Sequence, residues 1–210
     1  MRNEEQLLGF DIREMWSQMD ATWPESRKAL YLVRADVTKV LSVDSLVWPR
    51  VVLGVEKNMR APTQWRDVGL WENLHHLREY LQQNAEAIGR PYQVIGITLL
   101  RNVLPMHEQE MWAALAPSVP ASLTKEWMFL GYDVADEGFI SGLSDCAYEA
   151  DELHLRKGWE LYLNEWHLFT QRRQAIRFKR MTDQRVDEHA PFCIYGLYSL
   201  RGRLRHRSIR

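Results

Sequence analysis

The chain has 210 residues, 46% apolar and 26% charged, ordinary values for a globular protein that can bury a core. Its 27 basic and 28 acidic side chains nearly cancel, which removes any global electrostatic reason to bind nucleic acid or an anionic membrane. No window approaches the ~20 apolar residues of a membrane span. The charged start Met1-Arg2-Asn3-Glu4-Glu5 precedes no apolar stretch of signal-peptide length, and Cys146 and Cys193 are too few for a disulfide framework, so a reducing cytoplasm is the expected setting.

In chain order, residues 4–19 read as a helix, because Leu8, Ile12, Met15 and Met19 step by 4, 3 and 4. The stretch 26–42 fits either a helix capped by Ser26 or a buried strand around Leu30-Tyr31-Leu32-Val33. Residues 66–88 carry the clearest helical face: Leu70, Leu74, Leu77, Leu81, Ala85 and Ile88, stopped by Gly89 and Pro91. A short helix is expected over 106–116 behind Pro105. A longer one is expected over 149–169, where Leu155, Trp159, Tyr162, Trp166 and Phe169 step by 4, 3, 4 and 3. A basic helix follows over 170–182 with Arg172, Arg173, Arg177, Lys179 and Arg180.

Four short apolar runs, each with an internal glycine, read as strands: 51–55, 93–99, 127–132 and 192–198. A glycine inside a strand marks a bulge or the close approach of another backbone, so the runs point to neighbouring strands with something packed across them. Helices alternating with these strands predict an α+β fold with a mixed sheet of about four to five strands. The amphipathic helices at 66–88 and 149–169 should pack on it through Leu74, Leu77, Trp159 and Trp166. No linker composition interrupts residues 1–200, which read as one domain. Residues 201–210 form a basic tail with five arginines, too short and too poor in aromatics for a nucleic-acid footprint.

The chemistry is sparse. Neither a phosphate loop nor a dinucleotide fingerprint can be written on any segment. The adjacent His75-His76 face different ways on a helix, which disfavours a shared metal. Ser141 lacks the flanking glycines of a nucleophile elbow. Cys146 has Asp145 and Glu149 as its charged neighbours, which disfavours a thiolate. Cys193, in an apolar strand, should be buried and inert. No catalytic residue, metal or cofactor is therefore assigned. The most conspicuous feature is acidic. Asp133, Asp136, Glu137, Asp145, Glu149, Asp151 and Glu152 follow one another with no lysine or arginine between them. Such a run suits a surface that steers a basic partner.

Three stretches carry a resemblance: Trp127-Met128-Phe129-Leu130-Gly131-Tyr132-Asp133-Val134-Ala135-Asp136 running on to Phe139-Ile140-Ser141-Gly142-Leu143, then Asn164-Glu165-Trp166-His167-Leu168-Phe169, then Glu188-His189-Ala190-Pro191-Phe192-Cys193-Ile194-Tyr195-Gly196. Together they resemble immunity proteins of bacterial contact-dependent growth inhibition and other polymorphic toxin systems. The resemblance covers about residues 126–198. It implies a cytoplasmic protein that binds a cognate toxin domain, such as a nuclease, and occludes its active face; the composition adds the expectation of no membrane partner. It supplies no binding residues. The acidic run nominates Asp133, Asp136, Glu137, Glu149, Asp151 and Glu152 as toxin-binding charge. Two other classes stay open: an enzyme whose site is assembled from scattered groups such as Asp133, Asp136 and His189, and an unrelated regulatory interaction protein.

Overall fold

Strands form where apolar side chains must serve two faces at once, and three of the four glycine-centred runs are strands of one sheet. The computed structural model of the chain describes residues 5–14, 63–65, 68–71, 73–84, 92–103, 126–143 and 158–201. Within these, β1 (Glu5–Glu14), β4 (Tyr92–Leu100), β5 (Trp127–Ala135) and β6 (Cys193–Leu200) form a sheet of order β1-β4-β6-β5, antiparallel at every pairing. A small hairpin of β2 (Thr63–Trp65) and β3 (Val68–Leu70) stands beside β1, and helices α1 (Leu74–Gln83) and α2 (Arg172–Arg185) complete the described elements. The chain is thus α+β, with an antiparallel rather than mixed sheet among the described residues. The run at 51–55 lies outside them, as do 26–42, 106–116 and the tail beyond Arg201.

The two-residue period of the strands sorts the core. Ile95, Ile97 and Leu99 of β4 join Tyr195 and Leu197 of β6 on one face, with Leu8, Leu70 and Leu168. On the other face, Phe10, Ile12 and Val94 pack under Leu77 and Leu81 of α1. Further along that face, Tyr132, Val134 and Ile194 pack under Ala175 and Phe178 of α2. Each fully buried side chain of this size is worth about 1.5–3 kcal/mol. Both helices therefore cover the same face, α1 over β1 and β4, α2 over β5 and β6.

Three expectations are corrected. Residues 5–14 are strand, not part of a helix over 4–19. Phe10 and Ile12 alternate with Asp11 and Arg13, and a register shift between Leu7 and Gly9 turns Leu8 to the opposite face, so a four-residue spacing arose inside a bulged strand. The helix expected over 66–88 starts only at Leu74. Leu70 belongs to β3, and Asn73 caps the helix by accepting the His75 backbone N–H at 2.8 Å. The helix expected over 149–169 is, in its described part, a 3-10 turn at Glu160–Tyr162 followed by a loop. The Asn164 side chain accepts the backbone N–H groups of Trp166 and Leu168 and donates to the Leu130 carbonyl. It thereby takes donors that a helix would need. Trp159 and Trp166 still pack against the core, from that turn and loop rather than from a helix.

The glycines explain how the sheet edges close. Phe169 crosses β5 at Tyr132 through two backbone hydrogen bonds of 2.8 and 2.9 Å. It can do so because Gly131, at φ 149°, leaves the space that Leu168 fills; a Cβ there would lie 2.5 Å from the Leu168 Cβ. At the opposite edge, Trp71 pairs with Phe10 in the same way over Gly9, where a Cβ would lie 2.8 Å from the Trp71 carbonyl oxygen.

Candidate functional site: an arginine-faced groove

Among the described residues, two regions that collect polar side chains are built in opposite ways. The first is the turn that leaves β5. The Asp133 carboxylate accepts the Ser141 hydroxyl at 2.8 Å and the Val134 N–H at 2.8 Å, and has no exposed surface. Asp136 accepts the Ile140 N–H at 2.8 Å through one oxygen and meets His189 Nδ1 at 2.9 Å through the other, while its carbonyl accepts the Tyr195 hydroxyl. These bonds hold the turn 136–140 against the segment before β6 and stabilise Phe139 at φ 67°, a left-handed geometry that costs a non-glycine residue energy. The ring of Phe139 stacks edge-on with Tyr195 at 4.8 Å.

The six acids nominated from the sequence therefore separate. Asp133 and Asp136 are buried inside this network, Glu137 is exposed, and Glu149, Asp151 and Glu152 lie outside the described residues, as does Cys146. Asp136 and His189, two of the scattered suspects, do meet. Ser141 does not extend them into a triad, because its only hydrogen is donated to Asp133. Cys193 is a buried free thiol. Among the described residues no cluster of His, Cys, Asp and Glu has the geometry to hold a metal ion.

The second region is an open groove of about 1120 Å³ along α2. Its sheet wall is Phe129, Tyr132 and Tyr198, whose rings lie 4.8–5.0 Å from one another around Phe129. Glu5 sits at its floor and accepts three hydroxyls: Tyr132 at 2.9 Å, Tyr198 at 2.6 Å and Thr98 at 3.1 Å. The helix wall carries Arg173, Arg177 and Arg180. These stand at i, i+4 and i+7 and so share one face. Among the described residues none of the three makes an ion pair with a carboxylate. Lys179, off that face, does: it reaches Asp183 at 2.6 Å, and Asp183 also accepts the Phe192 N–H at 2.8 Å.

The arginine face works against its own helix. α2 has no acid in its first turn, and Gln171 caps it without a side-chain hydrogen bond. Cations at a helix N-terminus and like charges at i, i+3 and i+4 each cost a few tenths of a kcal/mol. Arg177 lies 5.8 Å over the Trp159 ring, which in turn touches Tyr162 at 5.8 Å. Tyr162 and its chain neighbour Leu161 are exposed apolar side chains, at 40% and 89% exposure. Phe129 is itself 39% exposed.

Sequence reasoning found the basic helix but not the groove its arginines line, because it weighed them as a sum. Their i, i+4, i+7 spacing was the available signal. The aromatic wall had none, since Phe129, Tyr132 and Tyr198 meet only through strand register.

No helix among the described residues is long and apolar enough to cross a membrane. A comparison of the chain with family models, with curated proteins and with solved structures finds no match.

Proposed function

We propose that this chain is a cytoplasmic binding protein of the immunity class, which neutralises a cognate toxin domain by covering its active face. The observation that carries the binding reading is the groove: three arginines with no carboxylate partner among the described residues, set beside exposed aromatic and aliphatic side chains. Arginine and aromatic residues are the types enriched where proteins dock, and they supply most of the binding energy there. The toxin as partner rests on the resemblance of residues 126–198 to immunity proteins. Glu137 adds surface charge at the turn after β5, and Glu149, Asp151 and Glu152 continue the same acidic run in sequence.

The test starts from the open reading frame beside the gene. Expressed alone it should arrest growth, and co-expression with this chain should restore it. A toxic neighbour that this chain leaves toxic contradicts the reading, as does a neighbourhood that encodes no toxin domain.

A second reading, an enzyme using Asp136 and His189 as an acid–base pair, is favoured by their 2.9 Å hydrogen bond. It requires a substrate to reach a histidine side chain that is 23% exposed.

A further inference from the structure

We infer that the groove along α2 takes an acidic segment of the protein partner, its carboxylates held by Arg173, Arg177 and Arg180 and an apolar side chain set against Phe129. The inference rests on the proposed reading only for the partner's identity; the recognition chemistry comes from the groove itself.

Charge complementarity selects the occupant. Guanidinium groups bind carboxylates in paired, planar hydrogen bonds, and such bonds are stronger than neutral ones. From Arg173 to Arg180 the helix rises by about 10 Å, which matches carboxylates spread along a short extended segment rather than one small anion. The opposite wall is apolar where it is exposed, because the hydroxyls of Tyr132 and Tyr198 are donated to Glu5. That wall offers ring faces and edges, not hydrogen-bond donors. The occupant must therefore present acids to one side and an apolar side chain to the other.

A nucleic acid strand also carries anions and flat rings, and basic grooves with aromatics do bind single strands. Two features favour protein. The formal net charge of the chain is −1, whereas nucleic-acid-binding domains are basic overall. Through Trp159, Arg177 is linked to the exposed Tyr162 and its chain neighbour Leu161, and the exposed aliphatic Leu161 offers nothing for a base to stack on.

Fluorescence anisotropy on the full chain provides the test. The probes are a short labelled peptide alternating glutamate and leucine, its lysine counterpart, and a labelled oligothymidylate of similar length. The acidic peptide should bind saturably and lose affinity as salt rises. Binding should weaken at least about tenfold in the Arg173→Gln/Arg177→Gln/Arg180→Gln variant and severalfold in Phe129→Ala. The variants should keep the circular dichroism spectrum of the parent. The inference is overturned if the acidic peptide does not bind, if the variants bind it as well as the parent does, or if the oligothymidylate binds more tightly. The same variants tested for toxin neutralisation separate the two readings. Neutralisation by parent and variants alike removes the groove and leaves the immunity function standing. Peptide binding without neutralisation by the parent removes the function and leaves the groove.

Discussion

The turn after β5 and the arginine face of α2 are both rich in charge, yet they stand in opposite relation to the fold. In the turn, Asp133 and Asp136 accept hydrogen bonds from Ser141, Val134, Ile140 and His189, and almost none of their surface meets water. On α2, Arg173, Arg177 and Arg180 face an open groove and repel one another, and Arg173, in the first turn, also opposes the helix dipole. The same helix shows both habits, since Lys179 is nearly buried and paired with Asp183. Charge that the fold satisfies is structure. Charge that the fold leaves facing a groove, at a cost to its own helix, is charge that the inferred ligand would balance.

If that division holds, substitutions on its two sides should differ in kind. The largest effect belongs to a charge deep inside: Asp11 and Arg13 of β1 form a 3.0 Å pair with 1–2% of their side-chain surface exposed. Asp11→Ala should cost about 3–5 kcal/mol in denaturant unfolding, because it takes the carboxylate from a buried guanidinium. Asp133→Ala should cost about 2–3 kcal/mol by the same assay, since it leaves the Ser141 hydroxyl and the Val134 N–H without an acceptor. Neither substitution should change acidic-peptide affinity once the folded fraction is accounted for. A loss of affinity in a folded Asp133→Ala protein would break the comparison. A smaller cost, about 1 kcal/mol, is expected for His189→Ala, which removes one partner of a part-exposed hydrogen bond. The enzyme reading would be strengthened if that variant folded normally and lost an activity.

The division also explains what could be read in the chain beforehand. Strands β4, β5 and β6 were legible because each is an apolar run of strand length around a glycine, and the reason for the glycine is visible at Gly131, where Leu168 occupies the missing side chain's place. Helix α2 was legible from its basic run, which lies within two or three residues of its bounds. The failures came where one local signal served another end. Leu8 and Ile12 imitate a helical step across a bulge, and the aromatic spacing of 155–169 hides Asn164, whose side chain folds the loop back onto β5. The acidic run was legible as charge but not as surface. Its first two members turn inward because of pairings with residues 8 and 53 positions away, and spacing carries no trace of such contacts.

The central claim is that the arginine face exists for a ligand and not for the fold, and one double substitution tests it directly. Arg173→Glu/Arg180→Glu places an acid in the first turn of α2 and relieves the like-charge pairs, which should stabilise the helix by about 0.5–1 kcal/mol. The same change should abolish binding of the acidic peptide. Unfolding free energy and peptide affinity, measured side by side on this variant and the parent, should therefore move in opposite directions, stability up and affinity down. A variant that is less stable, or one that binds the acidic peptide as tightly as the parent, would contradict the account.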